Sequence, residues 1–442
     1  HRDLHLSLRR QRQMCIRDSF SPAHKTLIEQ AHALFPGGSV GNVYDDTILQ
    51  RGVGSRVWDV SGNEYIDYLL GSGPMVCGHA HHQVVAAVTE QIGKGTTFFA
   101  THELAVKLAA AIVDAVPCAE QVRFTSSGTE ATLYAMRAAR AASGSGRDKI
   151  LKFEGGFHGM NDYALMSTFA SGTAQLPANE PDSAGLPGTL PSTVLIAPFN
   201  DVDQTAEIIE RHQTELAGVI VEPMQRIVPP EPGFLEALRE MTQRYQIALI
   251  FDEIVTGFRL AFGGAQEYYG VVPDLCTLGK IVGGGFPLAA VTGRADLMQC
   301  FNPSARTTKQ FTPQIGTLSG NPVAAAAGLA TLDVLREPGT YEKLFATGQQ
   351  LMTGLGAAFA KAGTPVRICG EPPVFDVLIT DQEISSYRDT LSNDKAAIGR
   401  FNQQLLSRGI FRPDSKFYVS IVHSQGDVDQ TLAVFDAAAA AM

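Results

Sequence analysis

The sequence predicts an α/β protein in which a mainly parallel sheet is covered by helices on both faces and joined by a smaller α+β domain drawn from both chain ends. Short apolar runs of strand length alternate with longer stretches of helical periodicity, the pattern of repeated strand, helix, strand units. The chain has 442 residues, 45% hydrophobic and 18% charged, enough to bury one large core or two. Beyond about residue 331 the character changes to two helical stretches, a strand pair and a final helix, which reads as a separate, smaller unit.

Taken in order, the head of the chain stands outside this pattern. HRDLHLSLRRQRQMCIRDS, residues 1–19, carries five arginines and resembles nothing after Phe20. Organellar leaders are Arg-rich but acid-poor, and Asp3 and Asp18 break that rule. The segment reads as foreign to the protein, in the manner of adapter read-through in an assembled gene, or as a disordered leader. Residues 20–75 form the N-terminal part of the small domain, where RVWDVSGNEYIDYL has the alternation and SGN turn of a hairpin. Residues 76–330 form the large domain. Its strands are VRF, KILKF, TVLIA, GVIVEP, IALIFDE and PLAAVTG, and its helices include LAVKLAAAIVDAV, TAEIIERHQTEL and GFLEALREMTQRY. Residues 331–442 complete the small domain, with strands in PPVFDVLIT and FYVSIVH and a last helix DVDQTLAVFDAAAAAM.

Composition excludes several functions. A formal charge of −10, with no basic stripe after residue 20, argues against nucleic acid or an anionic membrane as partner. No apolar run approaches the roughly 20 residues that span a bilayer. The six cysteines are scattered with no CxxC pair, which fits reduced thiols in the cytoplasm better than a disulfide framework or a metal site.

Ligands of open parallel sheets collect at the carboxyl ends of the strands, and the residues there are informative. FTSSGTEATLYAMRAAR, residues 124–140, places small hydroxyl residues between a strand and a helix. Either they cap the helix or they leave its free N–H groups open to an anion. IFDEIVTGFR closes an apolar strand with Asp252 and Glu253, and LCTLGKIVGGGFP follows another with Lys280. A buried aspartate needs a partner; the lysine can be that partner or a reactive amine.

Asp252 and Lys280, twenty-eight positions apart, together with GSGPMVCGHAH, RFTSSGTEA, KFEGGFHG, VEPM and GTLSGNP in this order, resemble the class III aminotransferases, pyridoxal-phosphate enzymes of fold type I. The likeness covers nearly everything from Phe20 onward and is nearest to the branch of glutamate-1-semialdehyde aminomutase and its transaminase relatives. It implies a seven-stranded sheet, pyridoxal 5′-phosphate as cofactor with pyridoxamine 5′-phosphate as its alternate form, and a homodimer with a shared site. By this resemblance Ser127, Gly128 and Thr129 cradle the phosphate, Lys280 forms the Schiff base and moves the proton, and Asp252 keeps the pyridine nitrogen protonated. Phe157 and Ile254 flank the ring, and Thr317 reaches the phosphate of the neighbouring subunit. His158, Glu222 and Gln225 lie near the cofactor; Gln225 is the candidate for the phenolic oxygen, because Ile227 and Val255 are apolar where relatives carry polar groups.

The substrate pocket departs from the aminomutase pattern. PGGSVGNVYDD offers Tyr44 where that enzyme has an arginine, and Ser72 stands in place of a tryptophan. Tyr44, Ser72 and Arg226 are the candidate substrate contacts; Arg226, Arg412 and Lys416 could supply a carboxylate grip from elsewhere, though each reads first as a solvated surface charge. The resemblance therefore implies transfer of an amino group from an amine donor to a carbonyl acceptor in ping-pong fashion. Aminomutase chemistry is the alternative, and a non-catalytic cofactor-binding module is a third reading.

Overall fold

The computed structural model describes residues 20–43, 46–144, 146–412 and 416–442; the leader segment and Tyr44 lie outside the described residues. Helix α1 (Pro22–Leu34) begins where Ser21 accepts the His24 N–H and Pro22 supplies a preset φ. Strands β1 (Leu49–Val53), β2 (Arg56–Asp59) and β3 (Glu64–Asp67) follow. The β2–β3 hairpin pairs Val57 with Tyr65, and Asp59 ties its turn by accepting from Asn63 N at 2.9 Å and Tyr65 Oη at 3.0 Å.

Helices α2 (His82–Ile92) and α3 (Glu103–Ala115) lead into the large sheet. Its parts are β4 (Gln121–Thr125), α4 (Gly128–Ala142), β5 (Lys149–Phe153), β6 (Val194–Ala197), α5 (Val202–His212), β7 (Leu216–Val221), α6 (Phe234–Arg244), β8 (Ala248–Glu253), β9 (Leu275–Leu278) and β10 (Ala289–Gly293). The seven strands run in the order β4-β10-β9-β8-β7-β5-β6. Only β10 is antiparallel to its neighbours, so β4, β5, β7, β8 and β9 all point their carboxyl ends to one edge. Strands such as β7, LAGVIV, are buried at every residue, which is why they read as unbroken apolar runs.

Helices α7 (Pro322–Leu335) and α8 (Thr340–Ala362), strands β11 (Arg367–Glu371) and β12 (Val374–Leu378), helix α9 (Lys395–Ser407), strands β13 (Ile410–Phe411) and β14 (Phe417–Tyr418) and helix α10 (Gln425–Ala440) complete the chain. The N-terminal hairpin sheet gains β13, parallel to β3, so both chain ends build one layer. A second antiparallel sheet runs β11-β12-β14.

Two points differ from expectation. A boundary at 330/331 falls inside α7, an apolar helix buried along most of its length. The smaller unit is also not separate in its packing, because one buried cluster runs from Tyr68 through Leu108, Phe258 and Val282 to Leu344, Phe375 and Phe417.

Candidate active site

The parallel strands deliver their following residues to one place. Asp252, near the end of β8, is 4% exposed and lies opposite Thr277 of β9 in the ladder. Thr277 Oγ1 donates to Asp252 Oδ1 at 2.9 Å, and the Ile254 N–H donates to the same oxygen at 3.2 Å. His158 Nδ1 lies 2.7 Å from Asp252 Oδ2. A carboxylate has about four lone-pair sites, so these three bonds orient the group and leave capacity for one more donor. His158 is 1% exposed and its Nε2 has no partner. Glu253, the other acid of this strand, turns away to hold the loop at Ala265 and Gln266; burial pushes its carboxyl upward.

Lys280 stands three residues past Thr277, half-buried, with φ of +47°. Burial lowers its amine below the ordinary lysine value; Asp252 opposes that shift, Arg259 adds to it, Glu222 opposes it and Arg226 adds to it. Ser72 and Arg226, with φ of +66° and +61°, share the left-handed conformation. Such strain in non-glycine residues is tolerated where function holds it.

At the start of α4, Ser127 caps the helix: its Oγ accepts the Glu130 N–H at 3.3 Å and donates to Glu130 Oε2 at 3.0 Å. The N–H groups of Gly128 and Thr129 are left as free helix-start donors. A Cβ at Gly128 would lie 3.1 Å from Ile254 Cδ1, and one at Gly279 would lie 2.8 Å from the same atom, so the Ile254 side chain packs into the space both glycines leave. Thr129 Oγ1 accepts the Met160 N–H at 3.1 Å, which ties this helix start to the loop bearing Phe157 and His158.

Phe157 is half-buried. Its N–H donates to Glu222 Oε2 at 2.9 Å, and the Arg226 guanidinium lies 5.2 Å from its ring centroid. Gln225 Nε2 donates to the Glu154 carbonyl at 2.7 Å, and its buried Oε1 is unpartnered beside Gly156. Ser72 is exposed and hydrogen-bonds Tyr418. Thr317 is exposed on a segment outside the cluster, which His102 and Arg123 pin through Gly320 and Gln314.

The reading of Arg226, Arg412 and Lys416 as solvated surface charges is overturned. Arg412 is 3% exposed and is committed to Asp376 and Asn402. Arg226 and Lys416 are half-buried, and the charges of Arg226, Glu222 and Lys280 all act on the Lys416 amine. Sequence reasoning also missed Thr277, Tyr418 and Arg259. Arg259 is fully buried, donates to the carbonyls of Gly73, Pro373 and Val419, and stacks 5.1 Å from the Tyr418 centroid. The arginine closing the quoted IVTGFR stretch is the one signal that pointed to it.

The class III aminotransferase family model matches residues 39–384. The chain belongs to the class III aminotransferases. An omega-transaminase from Sphaerobacter thermophilus is 36% identical, with a TM-score of 0.89 over 94% of this chain and 97% of that one. A β-phenylalanine aminotransferase from Variovorax paradoxus is 30% identical, with a TM-score of 0.86 over 98% and 96%. A glutamate-1-semialdehyde aminomutase from Pseudomonas aeruginosa PAO1, at 24% identity and a TM-score of 0.84 over 95% of each chain, shares the fold. This class III aminotransferase is thus a pyridoxal-phosphate enzyme of fold type I that acts on small molecules. The residues present suit that cofactor: a helix start of small residues, a carboxylate with room for one donor, and a desolvated amine. Among the described residues no helix is long and apolar enough to cross a membrane.

Proposed function

We propose that this site carries out both half-reactions of transamination with Lys280 and Asp252 as its catalytic residues. The observation that carries this reading is the buried Asp252, fixed by His158 and Thr277, beside an amine that burial drives toward its neutral form. Bound here, pyridoxal phosphate supplies the carbonyl that carries the amino group and the electron sink that acidifies the substrate Cα–H. Ser127, Gly128 and Thr129 hold its phosphate at the start of α4. Asp252 keeps a proton on its ring nitrogen, while Phe157 and Ile254 enclose its ring. Lys280 would hold it covalently, and its amine, once freed, would be the base for the substrate Cα proton. Glu222 fixes the Phe157 backbone, and His158 keeps Asp252 oriented. Gln225 supports this wall through Glu154. Ser72 and Arg226 face the substrate.

The working unit in this reading is a homodimer in which Thr317 reaches the partner's phosphate. The exposed Phe98, Phe99, Ile315 and Leu318 support it, since apolar surface of this kind marks an interface. The five described cysteines are free, which supports a reducing, cytoplasmic setting.

The test is an absorbance titration of the cofactor-loaded protein with glutamate, alanine, a β-amino acid, an aryl amine and 4,5-diaminovalerate. Bleaching of the yellow band by ordinary donors, restored by a keto acid and absent in Lys280→Ala, is the expected result. A response to 4,5-diaminovalerate alone would replace transamination with aminomutase chemistry.

A further inference from the structure

Among the described residues neither Arg226 nor Lys416 forms a salt bridge or hydrogen bond to a carboxylate. Arg226, on the turn after β7, has its guanidinium over Phe157 and no hydrogen bond or salt bridge among the described residues. Its neighbour Met224 packs with Leu70, Val374 and Tyr418, which brings this turn against β12 and β14. Lys416 directly precedes β14, and extending the pairing of Val374 with Tyr418 and Phe375 with Phe417 places it opposite Asp376. That acid is already taken by Arg412 and by the Val377 N–H at 2.8 Å. Two half-buried cations whose charges act on one another repel and lose hydration. A ligand with two carboxylates relieves both, whereas a monocarboxylate reaches one.

Resting on the transamination reading, we infer that Arg226 and Lys416 form a two-cation grip for a dianionic substrate, so that the preferred acceptor is a keto diacid. Arg226 offers a planar fork suited to bidentate carboxylate binding and Lys416 a single point charge.

The grip is pH-dependent through Lys416. Burial lowers its amine to about 7, as do Arg226 and Lys280, while Glu222 and Asp376 oppose the shift; the charge of Asp376 is itself offset by Arg412. The second cation is therefore present below that value and lost above it. Affinity for a diacid falls as pH rises through neutrality.

The experiment loads the protein with pyridoxamine 5′-phosphate and follows the return of the yellow band on mixing with 2-oxoglutarate or pyruvate, from pH 6 to 9. Calorimetry with glutarate and butyrate, which do not react, measures binding separately on the loaded and cofactor-free protein. The expected result is a preference for 2-oxoglutarate and glutarate. Arg226→Met and Lys416→Met each lower it by about ten- to hundredfold, the range of a lost charge-assisted hydrogen bond. Lys416→Arg keeps the preference but loses its pH dependence, which also shows that loss in the Met variant is not misfolding. Equal use of both acceptors by the unaltered protein, parallel loss of both in the variants, or loss of preference in Lys416→Arg overturns the grip. If neither acceptor restores the band, the transamination reading fails instead, and glutarate calorimetry still decides whether the grip exists.

Discussion

Asp252 is restrained before any ligand arrives. Replacing it with Ala removes the acceptor of the buried Thr277 hydroxyl and the partner of His158; a buried group left unsatisfied costs about 1–3 kcal/mol. Asp252→Ala is expected to lose about that much in denaturant unfolding of the cofactor-free protein and to slow the first half-reaction by about 10²- to 10⁴-fold, the usual size of a proton-handling contribution. Lys280 makes a complementary point. Its amine must be neutral to take a proton, and burial and Arg259 both push it downward. The rate of the first half-reaction should rise with pH through this lowered value and sit below the range of an ordinary lysine, near 10.4. Arg259→Met removes a cation, so the acid limb should move to higher pH in a single-turnover pH profile. An unmoved limb would mean that burial alone sets the amine.

At the level of elements, the strand ends carry the site, and most of them were legible. β7 is apolar throughout and β8 is apolar up to Asp252 and Glu253, because both faces are covered, and those strand-end acids stood out against that background. At α4 the Ser127 hydroxyl caps the helix, and the proposed phosphate would rest on the N–H groups of Gly128 and Thr129 that a helix start leaves unpaired. Ser127→Ala should therefore cost about 1 kcal/mol of stability even without cofactor, measurable by thermal unfolding of both forms. β11 was missed because its residues are all half-buried, which gives no clean two-residue alternation. Thr277 was missed because ladder register, not sequence spacing, places it beside Asp252. Arg226 and Lys416 were misjudged because an isolated cation is exposed by default, and only packing of the β7 turn against β14 brings them inward.

Across the whole molecule, the two units are joined by more than apolar packing. Arg388, on the one-turn helix Tyr387–Thr390, makes paired bonds at 2.6 and 3.1 Å to Glu154, whose side chain is 2% exposed. Tyr387 Oη donates to the Ala170 carbonyl at 2.8 Å, and its ring fills the space a Cβ at Gly155 would need. Arg388→Ala strands the buried carboxylate and is expected to lower stability by about 1–3 kcal/mol, with Glu154→Gln in the same background restoring part of it in denaturant unfolding. The proposed dimer has its own test at this scale. Leu318→Asp, at a position 50% exposed in the single chain, should shift sedimentation from dimer to monomer and weaken cofactor retention together. A dimer that persists would place the interface elsewhere.

The carbonyls that hold Arg259 come from residues 73, 373 and 419, spread across nearly the full length of the chain. During synthesis, Lys280 and Asp252 leave the ribosome well before Val419 does, and domains form from the amino end as they emerge. The Arg259 guanidinium has all its acceptors only once residue 419 has been made. A nascent chain stalled before residue 373 should be unable to retain pyridoxal phosphate, and cofactor retention should begin only after residue 419 has emerged.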